Sequence, residues 1–330
     1  LEVSKFECRF IRWLEVFVDI HSAKGYGYTM LGAVLWGVSG TVAKALFLAG
    51  ITPFELVQIR VILSSVLMAA AFSVFSKSLL RIRLKDVPYF CLLGCVGMAF
   101  AQGAYLYAIS KIQVAAAVLL QYMAPSLVAV YSILFWEERP TFLKVGALAL
   151  AFCGCYLVVG GYNLQLLHMN RPGIMSGLAS AVAFALYSLM GERGMHRYSP
   201  WTVLFYAMSF ASLTWHILYP PFHYLSAGYS GVQWAWIFYI AVAGTILPFG
   251  LYLTGINYIR STRASITATL EPISAGFIAF FALGEAMESL QVFGGVLVIS
   301  AIVVLQLQQE RVEMAPAVIR ARGRREKPVY

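Results

Sequence analysis

Apolar residues run along this chain in long, nearly unbroken blocks of roughly 20 residues, the length a helix needs to cross a hydrocarbon core of about 30 Å. Prolines, glycines and charges mark where the blocks stop. The pattern predicts spans at 27–48, 55–76, 88–109, 113–136, 142–161, 173–191, 201–221, 232–254, 261–284 and 289–308. Several starts carry helix-entry chemistry. Asp86 precedes Val87-Pro88, and Ser199 precedes Pro200; proline fits a first helical turn because that turn has no use for its missing N–H. The expected fold class is an all-α integral membrane protein of about ten transmembrane helices.

The chain is 60% hydrophobic and 12% charged, with a mean hydropathy of +0.76, whereas an ordinary soluble domain is about 25% charged, so the balance argues against a water-soluble fold. The formal charge of +9 matters through its distribution: of the 24 Lys and Arg, all but Lys44, Arg60, Lys111 and Arg171 fall on one side of the predicted spans. Positive loops face the cytoplasm. Both termini are therefore expected there, as an even number of spans requires, with the protein in a cytoplasmic (inner) membrane and in contact with lipid. No basic face is interleaved with stacking aromatics, which excludes nucleic acid as a partner. The five cysteines, Cys8, Cys91, Cys95, Cys153 and Cys155, are odd in number and mostly lie inside apolar segments, so they imply neither a disulfide framework nor a metal site. Residues 1–26 read as a cytoplasmic, interfacial N-terminal segment, because Glu15 and Asp19 break the apolar run that a signal peptide would need. Residues 309–330 read as a basic cytoplasmic tail.

The chain also repeats itself. Tyr105 to Val145 aligns without gaps on Tyr252 to Val292, a constant offset of 147 residues, with identities at Tyr105/Tyr252, Ile109/Ile256, Ile112/Ile259, Ala117/Ala264, Pro125/Pro272 and Glu138/Glu285 among others. A proline inside a span and a glutamate at its end are not supplied by chance apolar similarity. The offset maps spans three, four and five onto eight, nine and ten, so 27–161 and 173–308 form two five-helix repeats. Five is odd, so the second repeat must enter the membrane inverted. Secondary transporters are often built this way, with the substrate site between the repeats near the midplane.

The segment Ala33-Val34-Leu35-Trp36-Gly37-Val38-Ser39-Gly40-Thr41-Val42-Ala43-Lys44, then Pro53-Phe54-Glu55-Leu56-Val57-Gln58-Ile59-Arg60, and in the second half Thr269-Leu270-Glu271-Pro272-Ile273 and Gly284-Glu285, resemble in order and spacing the EamA family of the drug/metabolite transporter superfamily. The resemblance covers nearly the whole span region. It implies a secondary carrier, often an exporter of amino acids or other small metabolites, with no ATPase domain and no cofactor. The first half departs from the second by having Ala124-Pro125 where the second has Glu271-Pro272, so any role for that carboxylate is asymmetric.

Glu271 is the leading candidate for chemistry. It falls about nine residues into span nine, roughly 14 Å deep at 1.5 Å per residue, where a lipid-facing charge is costly. It should face protein or a water-filled cavity, as a ligand for a substrate ammonium, a carrier of a coupling proton, or a structural glutamate bonded to a neighbouring helix. Pro272, and Pro125 in the first half, are expected to kink their helices and free carbonyls near that depth. Arg60 and Lys44 either snorkel to the outer interface or bind a substrate carboxylate, for which the planar guanidinium is better suited. Gln102 and Gln121 join helices or touch substrate. Trp36 and Tyr187, with Tyr105, Tyr122 and Tyr252, are candidates for a cavity wall or for ordinary packing. Gly173-xxx-Gly177 permits close helix approach within the chain or in a homodimer.

These features favour a transporter of a small-molecule substrate working by alternating access: an amino acid or a related amine or carboxylate, in the direction of export, with a proton or ion as a candidate coupling partner. A carrier of sugars or phosphorylated metabolites, using Arg60 and Lys44 for anionic groups, is the alternative within transport. From another class comes an intramembrane serine protease, since Gly37-Val38-Ser39-Gly40 has the form found around such a nucleophile and His216 lies inside a span. The inverted repeat has no place in that fold. Glu137-Glu138 is not a paired-carboxylate site, because adjacent helical residues do not face one another.

Overall fold

A computed structural model describes residues 2–124, 126–127, 130–131, 142–158, 162, 170–268, 270–284, 287–306 and 315–325; for 2–22, 321–325 and some single positions within helices it describes the backbone alone. The first half begins with α1 (Glu2–Leu48), an uninterrupted helix. No break sets off residues 2–26, because no proline between 2 and 48 removes an N–H, and Gly25 lets the helix lie against Tyr258 and Ile259. α2 (Pro53–Phe75) starts at a capping box in which Thr52 Oγ1 accepts from the Glu55 N–H at 3.3 Å and Glu55 Oε2 accepts from the Thr52 N–H at 3.0 Å. α3 is built from Val87–Leu92, a π-helical segment Leu93–Ala99 and Phe100–Lys111. α4 (Val114–Gln121) gives way to a turn at Tyr122 and Met123, after which helix resumes at Ala124. α5 (Phe142–Val158) closes the half.

The second half repeats the order: α6 (Arg171–Met195), α7 (Pro200–Leu218), α8 (Gly231–Ala241, a π-helical segment Val242–Ile246, then Leu247–Thr267), α9 (Leu270–Leu283) and α10 (Ser289–Gln306). A further helix, α11 (Pro316–Arg325), lies on α6 and α8. Every predicted span holds a helix. Among the described residues, seven helices are long and apolar enough to cross a membrane, and α5 and α10 add shorter apolar stretches, Val145–Gly154 and Ser289–Ala301. Phe152, Phe277, Phe281, Phe293 and Val296 face outward, while Gln58, Arg60, Gln102, Glu192 and Glu271 are buried. Apolar outside and polar inside is the pattern of a chain whose solvent is lipid.

The 147-residue offset reappears in the backbone. Gln113 (φ −60°, ψ 143°) breaks the helix between α3 and α4, and Arg260 (φ 69°, ψ 166°) breaks α8 at the equivalent place. The π-helical segments end at Ala99 and Ile246, again equivalent. Packing follows the same exchange: α1 lies on α8 and α9 as α6 lies on α3 and α4, α2 lies on α8 as α7 lies on α3, and α2 meets α7, α4 meets α9 and α5 meets α10.

Connections gather at two ends of the bundle. At one, the Tyr198 hydroxyl accepts from the Arg83 N–H at 3.1 Å and donates to Asp86 at 2.5 Å, and Arg320 on α11 donates to the carbonyls of Met195 and Tyr198 and to Asn257. At the other, Gln58 Nε2 donates to the Trp215, Tyr219 and Pro220 carbonyls, each at 3.3 Å, and His223 pairs with Glu55 at 3.0 Å.

The α5–α10 contact is the tightest test of this packing. A Cβ on Gly154 would stand 2.6 Å from the Gly294 carbonyl oxygen and 2.8 Å from the Val298 nitrogen. Both are backbone atoms that cannot turn aside. Gly154→Leu is expected to lower the thermal midpoint of the detergent-purified protein, read by loss of the monodisperse peak in size-exclusion chromatography, by the equivalent of about 1–3 kcal/mol of overpacking; an unchanged midpoint would mean that α5 and α10 do not pack here.

Candidate functional site

Span nine is not one helix. The chain turns at Ala268 and a new helix begins at Leu270, with the Glu271 N–H donating to the Ala268 carbonyl at 2.9 Å. Pro272 therefore sits in a first turn, where its missing N–H costs nothing, and starts a helix where the sequence suggested a kink. Pro125, its counterpart, lies outside the described residues. Glu271 gains from this arrangement, since a carboxylate at a helix N-terminus faces the positive end of the helix dipole.

The Glu271 carboxylate accepts two hydrogen bonds, from the Tyr105 hydroxyl at 3.2 Å and the Tyr122 hydroxyl at 2.9 Å. Tyr105 comes from α3 and Tyr122 from the turn after α4, so both donors belong to the first half and the acceptor to the second. Arg60, on α2, is 3% exposed, and among the described residues its Nε has no hydrogen-bond partner. The Trp36 indole N–H is likewise buried without one. Together with Gln102, Gln121, Phe184 and Phe249, these groups line one cavity between the halves. Its volume, about 20 Å³ for the centres of water molecules, admits one or two waters. A larger ligand enters only if the surrounding helices separate.

The chemistry of the wall is specific. A fixed carboxylate and a guanidinium share a space of low polarity, where charge pairing is far stronger than in water. Trp36 stands edge-on to Phe249 at 4.7 Å and to Phe184 at 6.1 Å, so the three rings pack on one another as one aromatic side of the wall.

The two helix breaks sit away from this cavity and are each held by a charged side chain. Lys44 Nζ donates to the carbonyls of Ile109 and Ile112 at 2.7 and 2.9 Å, where α3 ends. Glu192, near the end of α6, accepts from Arg260 Nε at 3.0 Å and from the Ser261 N–H and hydroxyl at 2.8 and 2.5 Å. A positive φ at a residue with a side chain is costly, and these bonds hold Arg260 in it. The cation caps a helix end and the anion a helix start, each matched to the local dipole.

Of the residues singled out by sequence, Glu271, Arg60, Gln102, Gln121 and Trp36 meet at the cavity. Lys44 does not line it; its ammonium is turned to the α3 carbonyls. Tyr187 is fully buried behind the wall, 5.9 Å from Phe249. Tyr252 also stands outside the lining, against Trp36 and Phe184. Phe184, Phe249 and Glu192 went unselected: two are ordinary phenylalanines by sequence, and Gly191-Glu192-Arg193 reads as the polar end of a span. Gly173 and Gly177 abut Ile112 and Leu120, so that motif seats α6 on α3 and α4 within the chain. Ser39 packs on Gly244, while His216 bonds the Ser212 carbonyl at 2.8 Å, and no hydrogen bond joins the two. Glu137, Glu138 and Glu285 lie outside the described residues. Among the described residues, no group of three His, Cys, Asp or Glu could hold a metal ion.

Apolar helices around an enclosed, charge-bearing interior define a multi-pass membrane protein with a polar site between two helical halves. The profile of the EamA-like transporter family matches residues 23–160 and 171–307, and the chain belongs to that family, within the drug/metabolite transporter superfamily; it is a transporter. An uncharacterised inner membrane transporter of Salmonella typhimurium, YicL, is 29% identical over 87% of this chain and 97% of its own length. An uncharacterised transporter of Archaeoglobus fulgidus is 32% identical over 67% of this chain and 78% of its own. A crystal structure at 20% identity has the same fold, with a TM-score of 0.59 over 87% of this chain and 97% of that one.

If Lys44 caps α3 and takes no part in the cavity, Lys44→Met should lower thermal stability by about 1.5–3 kcal/mol, the range for hydrogen bonds from a charged donor, and leave ligand affinity unchanged. Thermal unfolding with and without added substrate measures both; a changed affinity at unchanged stability would return Lys44 to the site.

Proposed function

We propose that the protein is a secondary carrier of amino acids or closely related amine-carboxylates, working by alternating access in the direction of export. The observation that carries this reading is the juxtaposition, in one small cavity, of the Glu271 carboxylate and the Arg60 guanidinium, whose Nε is buried without a partner among the described residues. A buried donor left unpaired is costly. A zwitterion answers both ends: its ammonium meets Glu271 and the aromatic wall, and its carboxylate meets Arg60 and the Trp36 N–H. The phosphorylated-metabolite reading needs a second cation beside Arg60, and Lys44 faces elsewhere.

Alternating access is supported by the matched contacts of 27–161 and 173–308, taken as inverted repeats. Orientation is supported by charge, because Arg83, Arg193, Arg197, Arg260 and Arg320 gather at one end. In this reading that end is cytoplasmic, as are both termini.

Counterflow in proteoliposomes with labelled amino acids, amines and sugar phosphates tests the substrate class. Amino-acid exchange should be saturable in the wild type, lost in Glu271→Gln and Arg60→Ala, and not restored by Arg60→Lys, which lacks the planar fork. Exchange of sugar phosphates alone would overturn the assignment in favour of the other carrier. Topology has its own test: in a cysteine-free background, Ser226→Cys should react with a membrane-impermeant maleimide on intact cells and Ser78→Cys should not. The reverse labelling would invert the orientation.

A further inference from the structure

α11 lies beyond both segments that the family profile matches, 23–160 and 171–307, and the carrier reading gives it no part. Its ten residues include four arginines and Gly323. A helix that short is marginal in water on its own, so α11 is helical because it is docked. What docks it is small. Ala315, Pro316 and Val318 are buried, and the Arg320 guanidinium donates from Nη1 to the Met195 and Tyr198 carbonyls, the second at 2.9 Å, and from Nη2 to Asn257 Oδ1 at 2.6 Å. Met195 is the last residue of α6, where carbonyls lack helical partners and the dipole favours a cation. Asn257 is on α8 and buried. One guanidinium thus joins α6 to α8, and both are cavity helices: α6 carries Phe184 and α8 carries Phe249. Beside it the same helices are joined by Glu192 with Arg260 and Ser261. That staple is built into α6 and α8, whereas Arg320 belongs to a helix that can leave. The contact also reaches the first half, because the Tyr198 hydroxyl donates to Asp86 and accepts from the Arg83 N–H.

We propose that α11 is a releasable strap on the carrier. Docked, it holds α6 against α8 and keeps the cavity to the room of one or two waters; undocked, it lets Phe184 and Phe249 move apart so that a larger ligand enters. The proposal rests on the carrier reading above for the site it acts on. A contact made in only one of two states shifts their ratio by its own strength. A hydrogen bond from a charged donor is worth a factor of about ten or more, so Arg320 makes the parted state scarce. The few apolar residues behind it leave the strap free to come away, and a segment with four arginines is at ease in water once it does. Release removes the acceptors' partner at the end of α6, where water takes its place at no great cost because this end carries the connections between spans. The strap therefore sets how often the two wall helices separate, and the Glu192 staple keeps their breaks intact when they do.

The test uses the full chain, purified in detergent, with its five cysteines replaced and Ser188→Cys introduced as a reporter. Ser188 is fully buried on the side of α6 that meets Tyr252 of α8, and N-ethylmaleimide is the probe. Arg320→Ala should speed labelling at position 188 by about tenfold or more and raise the initial rate of amino-acid counterflow in proteoliposomes. Asn257→Asp turns the 2.6 Å contact into an ion pair and should slow both. A helix that merely caps α6 would not give opposite signs from two substitutions at one contact. Labelling no faster in Arg320→Ala, or faster in both variants, would overturn the strap. If Arg320→Ala fails to give monodisperse protein, Asn257→Asp decides alone, and labelling that is not slowed overturns it. Opposite shifts in labelling with no amino-acid counterflow in any form, the parent included, would uphold the strap and overturn the amino-acid reading beneath it.

Discussion

A backbone N–H or C=O left unpaired away from water costs several kcal/mol, and lipid supplies no partner. This constraint governs the molecule, because the chain breaks its helices inside the bundle at Gln113 and Arg260 and turns again at Tyr122 and Ala268. Each break needs a donor or acceptor brought from elsewhere. Lys44 supplies donors to the α3 carbonyls, and Glu192 supplies acceptors to Arg260 and Ser261. Two buried or half-buried charges thus permit irregular backbone inside the bundle.

The broken spans in turn create the cavity. A continuous ninth span would carry Glu271 mid-helix with its backbone fully bonded. The turn at Ala268 places the same residue in a first turn, favoured by the dipole and within reach of two phenols from the other half. Those two bonds tie α3 and the α4 turn to α9. A change in what the carboxylate binds therefore acts on a contact between the halves.

The halves share a plan and differ in chemistry. Tyr105 and Tyr252 are equivalent, yet one donates to a carboxylate and the other joins two serines, because Glu271 has Ala124 as its counterpart. Lys44 and Glu192 do equivalent work with opposite charge. The packing is shared, while the chemistry around these two tyrosines is set by which residue stands opposite each.

The sequence by itself determined the membrane class, the span positions, the 147-residue repeat and the candidacy of Glu271, since hydropathy, charge asymmetry and self-similarity are written in residue order and need no contacts to be read. It also named Arg60, Gln102, Gln121 and Trp36. Only the tertiary structure decided that Lys44 faces carbonyls at the end of α3, that Pro272 begins a helix, that Phe184 and Phe249 are wall, and that Glu192 serves Arg260. The physical reason is that a side chain's role in lipid depends on which unpaired group of another helix it meets, and that is a matter of helix rotation and backbone breaks, to which a run of apolar residues is blind.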